Sequence, residues 1–177
     1  MSKNITEIED ITDRDEALEV VANNGYNYYW LNQTLKNDRE IAMIAVCGEV
    51  EAMASCPDKF KADKAFVIEA ISLQPMLVEY ISPELQDSLN IMLLAVAENG
   101  YALEYASDRL KNNPKVVLTA IKGDPDTIEY ASKKLQEIAG LSPEKNLTQF
   151  IKTGKLFKSL RNNLKKEDTS LLKKIKI

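Results

Sequence analysis

The chain has 177 residues, a formal net charge of −4, 45% apolar residues, two cysteines and no histidine. That length corresponds to one domain with enough material for a core, and the ordinary apolar fraction argues against wholesale disorder. The absence of histidine removes His-based triads, His metal sites and the commonest general base, two cysteines do not make a disulfide scaffold, and no run approaches the roughly 20 apolar residues of a membrane span.

Residues 1–12 are a polar, acidic lead-in without the apolar stretch of a signal peptide. Asp10, Asp13 and Asp15 lack the glycine and closing glutamate of a calcium loop and are read as caps and solvated charge. From Asp13 a 25-residue pattern recurs without gaps, at 13–37, 38–62, 63–87, 88–112 and 113–137. Its first column, Asp13, Asp38, Asp63, Ser88 and Asn113, consists of helix N-caps, and Pro114 suits a first helical position. The helix that follows is predicted to bury its sixth column (Leu18, Met43, Ile68, Leu93, Leu118) and its ninth (Val21, Val46, Ile71, Val96, Ile121), which share a face. The eighth column, Val20 followed by Ala45, Ala70, Ala95 and Ala120, predicts close helix–helix approach.

A turn comes next, Asn24-Gly25, Gln74-Pro75, Asn99-Gly100 or Asp124-Pro125, where glycine would end one helix in a left-handed conformation or proline would open the next. A second, shorter helix carries Tyr28, Met53, Val78, Leu103 and Ile128, then Leu31, Cys56, Ile81, Ala106 and Ala131. Ser82-Pro83 reads as a fresh cap opening one further turn, which presents Leu35, Phe60, Leu85, Leu110 and Leu135. No copy alternates as a strand does. The expected fold is therefore all-α: residues 1–140 form an α-solenoid-like stack of five helix-turn-helix repeats, of either hand, closed by one or two C-terminal helices from residues 141–177.

The first copy holds Tyr26, Tyr28, Tyr29 and Trp30 together. These rings either cover the end of the core or form an exposed aromatic hot spot for a partner. In the second copy Val50 replaces the turn Gly or Pro and Cys56-Pro57 replaces Ala-Ser, which predicts a local kink. Cys47 and Cys56 fall on apolar columns and read as buried reduced thiols, with a redox pair across the hairpin as the alternative. From the third copy on, Glu79-Tyr80, Glu104-Tyr105 and Glu129-Tyr130 recur in register as a ladder of carboxylates and phenols. Their rings either pack between units with hydroxyls outward, or line a groove for a basic or amphipathic peptide.

Residues 141–177 hold ten Lys and Arg against three Asp and Glu, a net of +7, so the first 140 residues carry −11. Phe150, Phe157, Leu160 and Leu164 lie near helical spacing, with Lys152, Lys155, Lys158, Arg161, Lys165 and Lys166 largely around the other side. This segment folds back as a cap, or contacts nucleic acid or anionic lipid, or is a solvated end.

No glycine-rich phosphate loop is present and the carboxylates fall mostly on predicted solvent faces. The expectation is a non-catalytic chain with no cofactor and no metal, cytoplasmic by default, whose partner is another protein. A tether to nucleic acid or anionic membrane is the alternative, and an enzyme with a carboxylate site the third reading. The run Glu98-Asn-Gly-Tyr-Ala-Leu-Glu-Tyr-Ala-Ser107, followed by Asp-Arg-Leu-Lys-Asn and then Pro114-Lys-Val-Val-Leu-Thr-Ala-Ile121, resembles the tandem helical repeats of domain of unknown function 4116. The resemblance is good over 63–137, looser over 13–62 and absent over 141–177. It implies a helical-repeat fold and no catalytic residues. Such repeats occur in bacterial proteins, some of them secreted effectors, so it also makes a host-directed role conceivable.

Overall fold

The structure, a computed structural model, describes residues 5–140, 142–155 and 158. Among them every regular element is helical and no strand occurs. After α1 (Ile5–Glu9), a longer α-helix, a 3-10 helix and a short α-helix follow one another in fixed order. The longer helices are α2 (Arg14–Asn23), α4 (Arg39–Gly48), α6 (Lys64–Ile71), α8 (Leu89–Glu98) and α10 (Pro114–Gly123). The 3-10 helices are η1 (Gly25–Trp30), η2 (Val50–Ser55), η3 (Pro75–Glu79), η4 (Gly100–Tyr105) and η5 (Pro125–Tyr130). The short ones are α3 (Gln33–Lys36), α5 (Asp58–Lys61), α7 (Pro83–Gln86), α9 (Asp108–Lys111) and α11 (Lys133–Ala139), and α12 spans 143–155.

The predicted second helix is thus a 3-10 helix, and the further turn predicted after it is a short α-helix. Its buried residue and its buried C-cap, Tyr28 and Leu31 or Leu103 and Ala106, lie three apart, which suits three residues per turn. Both ends are held by side chains. Asn24, Asn99 and Asp124 accept from the backbone N–H two residues on, at 3.0 Å each. At the other end the Lys36, Lys61, Gln86 and Gln136 side chains donate to the carbonyls of Tyr29, Ala54, Glu79 and Glu129, which would otherwise be orphaned. Gly25 and Gly100 open the 3-10 helices instead of ending the α-helices, and neither has positive φ.

Asp13, Asp38, Asp63 and Asn113 cap the longer helices as predicted, and Pro114 opens α10. Ser88 occupies the cap position without a side-chain bond. The buried face differs from the predicted stripe. Ile41, Phe66, Ile91 and Val116, with the residue after each, are 0% exposed, as are Ala45, Ala70, Ala95 and Ala120. The ninth column is also buried, but the sixth is not: Leu18, Met43, Leu93 and Leu118 are half-buried and Ile68 is 39% exposed. The fourth, fifth, eighth and ninth positions form one helical face, and the sixth lies about a third of a turn from its middle.

Successive longer helices pack on one another, α2 on α4 through α8 on α10, and successive 3-10 helices do the same from η1 to η5. In the second unit the order of elements is unchanged and Cys56 has the same extended backbone as Ala106, while neither Glu49 nor Pro57 makes a side-chain cap bond. Cys56 is buried, Cys47 is half-buried, and both are free thiols. Burial pushes the Cys56 thiol above its ordinary range.

Among the described residues, one serine of this scaffold lacks the side-chain partner that its counterparts find in the preceding unit. Ser107 donates to Asp87 of the preceding unit, and Ser132 to Asn112 at 2.8 Å. The corresponding Ser82 would reach Ala62, which has no side-chain acceptor; its buried Oγ makes no hydrogen bond across the boundary and acts only on Glu84, two residues on, whose carboxyl it helps the Glu84 backbone N–H to hold below its usual range. Ala62 has φ −102° and ψ −6°, close to the −96° and 9° of Asn112. Ala62→Asn is therefore expected to stabilise the fold by about 0.5–1.5 kcal/mol, read as a raised denaturation midpoint. Ser82→Ala, combined with it, should cancel the gain.

Candidate functional site

The row of 3-10 helices positions the recurring Glu-Tyr pairs. Glu79 ends η3 with Tyr80 as its C-cap, and Glu104-Tyr105 and Glu129-Tyr130 end η4 and η5. In each pair the carboxylate is exposed while the ring is half-buried against the core. The rings are therefore packing elements whose edges belong to an acidic surface.

The charges around the phenols show how the pairs interlock. Burial raises the Tyr80 pKa, with Glu79 and then Glu51 adding to it. For Tyr105 the causes are burial, then Glu79 of the preceding unit, then its own Glu104. For Tyr130 a hydrogen bond to Glu129 leads, followed by burial and by the charges of Glu129 and Glu104. Two further tyrosines from other columns join the row. Tyr26 is raised by the charges of Glu51 and Glu49. Tyr101 is raised by hydrogen bonding to Asp124, and its ring meets Tyr130 edge-on at 6.1 Å. The five 3-10 helices carry Glu51, Glu79, Glu104, Asp126 and Glu129 and contain no Lys or Arg. A signal for Tyr26 and Tyr101 was present in the sequence, since they occupy the same column, but nothing there shows that this column faces the Glu-Tyr pairs.

Trp30, the remaining aromatic candidate, is half-buried beside a hollow of about 380 Å³ at η1 and η2. Of the first copy's tyrosines, Tyr28 takes the core position at 0% exposure and donates its hydroxyl to the Lys36 carbonyl at 2.7 Å.

The tail lysines do not converge on one place. Lys152, Lys155 and Lys158 are exposed. Lys152 lines one hollow with Glu144 and Lys145, and the other two line a second with Lys115, Leu89 and Phe150. Arg161, Lys165 and Lys166 lie outside the described residues, as do Phe157, Leu160 and Leu164. Among the described residues no helix is long and apolar enough to cross a membrane.

Residues 13–47 and 89–136 match the family model of a domain of unknown function, DUF4116. The chain resembles DUF4116 over both segments. The match omits 48–88, although the sequence reading places a good resemblance from residue 63. That interval contains the uncapped Glu49 and Pro57, the shortest of the longer helices, α6, and Ser82, which lacks a partner in the preceding unit. No curated protein and no solved structure matches the chain.

Proposed function

We propose that the chain is a non-catalytic interaction module in which five stacked copies of one helical repeat hold a basic segment of a partner protein along the row of 3-10 helices. The observation that carries this reading is the row of 3-10 helices, η1 to η5 packed in succession, on which the exposed Glu79, Glu104 and Glu129 each stand beside a tyrosine ring half-buried against the core. Carboxylates supply long-range attraction and register for a cationic segment, and amphipathic tyrosine edges supply contact area at low entropic cost. A stack of short units presents such a surface as an extended line.

The test titrates Lys- and Arg-rich peptides against the full chain and against Glu79→Gln/Glu104→Gln/Glu129→Gln. All three carboxylates are exposed, so the triple variant should melt at the unchanged temperature while binding falls by about tenfold. Tyr80→Phe/Tyr105→Phe/Tyr130→Phe keeps the half-buried rings and should weaken binding less. Binding unmoved by the triple glutamine variant overturns the reading. A second reading, attachment to an anionic surface, is favoured by Lys115, Lys155 and Lys158, which ring a hollow of about 520 Å³ beside Leu89 and Phe150. It takes first place if the chain binds anionic vesicles, binding fades steeply with salt, and Lys155→Gln/Lys158→Gln abolishes it.

A further inference from the structure

The two exposed tyrosines of η1 are not explained by packing. Tyr28 fills the core, whereas Tyr26 and Tyr29 on either side of it are 49% and 59% exposed. With Trp30 they line the hollow of about 380 Å³, whose remaining wall is Glu51, Ala52, Ala54 and Ser55. That volume lies near the small end of ligand sites. Tyr29 and Trp30 meet edge to face, with centroids 4.8 Å apart and planes at 79°, so they form two walls of a corner. Glu51 and Glu49 set a negative potential at Tyr26.

We infer that this hollow is a binding site for a trimethylammonium group, either free, as in choline, or carried on a trimethylated lysine of a peptide. Aromatic faces attract a cation through their quadrupoles, and a quaternary ammonium is the form that loses least hydration on entering. A bare ammonium brings three N–H groups that each need an acceptor. The wall offers the Glu51 carboxylate, one serine and phenol edges, interrupted by two alanines. A methylated cation needs no acceptor and wets the alanines and rings with its methyl groups. Tyr29 already serves a cation within the chain: Lys36 Nζ lies 5.4 Å from its centroid and donates to the Tyr29 carbonyl. Lys36 does not line the hollow. The site shares Tyr26 and Glu51 with the first end of the row but uses none of the three Glu-Tyr pairs.

Trp30 is the chain's one tryptophan, so its fluorescence reports on this hollow alone. The full chain is titrated with choline chloride at constant ionic strength, and with the neutral alcohol in which carbon replaces the quaternary nitrogen, by fluorescence and by calorimetry. Choline should bind saturably and its neutral isostere about tenfold more weakly or worse. Tyr29→Leu and Glu51→Gln should each weaken choline by about fivefold or more with melting unchanged, because both side chains are exposed. Absence of saturable calorimetric binding, or equal affinity for the neutral isostere, overturns the inference. A trimethyllysine peptide that binds more tightly than choline and than its unmethylated form identifies the peptide as the source, and the reverse order identifies the free cation. Glu104→Gln/Glu129→Gln should leave the choline titration unchanged, which separates this site from the row.

Discussion

Phe66→Ala is expected to destabilise the protein by about 3–5 kcal/mol, with the urea midpoint falling at constant slope. Phe66 is 0% exposed near the start of α6. Its ring stacks on Phe60 of α5 at 4.9 Å and 23°, and the Arg39 guanidinium of α4 lies 5.5 Å from its centre. Truncation would therefore open a cavity where three elements meet, in the shortest of the longer helices. The same experiment on Ile68, two residues on, distinguishes the observed buried face from the one predicted by periodicity. Ile68 is 39% exposed, so Ile68→Ala should stay within about 1 kcal/mol. Equal losses at the two sites would show that the sixth column belongs to the core after all.

The sixth column is uniform in residue type without being the buried one. Leu18, Met43, Ile68, Leu93 and Leu118 are all large and apolar, while the true fourth position begins with Glu16 in the first unit and the fifth includes two alanines. Residue type alone favours the more uniform column. Burial instead depends on which face the neighbouring helix covers. Element positions were far more legible. Capping chemistry and proline at the first helical position mark α4, α6 and α10 directly. The distinction between α and 3-10 helix was not, because two buried columns three residues apart are compatible with both periods.

The candidate site was legible in part for the same reason. The Glu-Tyr pairs recur in register and are visible as a pattern. The contributions of Glu49, Glu51 and Asp124 are not, because they come from cap positions and from units lacking the pair, and they matter only once the 3-10 helices lie side by side. Ser82 shows the converse. It looks like the other serines of its column, and its lack of a side-chain acceptor in the preceding unit is visible only when Ala62, twenty residues earlier, is brought next to it.

Gly100→Ala is expected to cost about 1–3 kcal/mol, whereas Gly123→Ala should stabilise by about 0.5–1 kcal/mol. Neither effect arises from left-handed backbone, since neither glycine has positive φ. A Cβ on Gly100 would stand 2.6 Å from the Ala120 carbonyl oxygen and 3.1 Å from Thr127 Cγ2. The first obstacle is backbone and cannot swing aside. The Ala120 carbonyl also accepts from the Asp124 N–H at 3.2 Å, and Asp124 caps η5. Displacing it would loosen the end of α10 and the start of the helix that carries Glu129 and Tyr130. Gly123 lies within α10 and a Cβ there meets nothing within 4 Å, so only the helix-propensity gain remains. Denaturation of the two single variants, with the double variant checking additivity, reads opposite signs. Because Gly100 also opens the 3-10 helix bearing Tyr101, Glu104 and Tyr105, its substitution should weaken any ligand of the row more than the lost stability alone explains. The close approach of η4 to α10 is thus a condition for η4 and η5 to lie side by side.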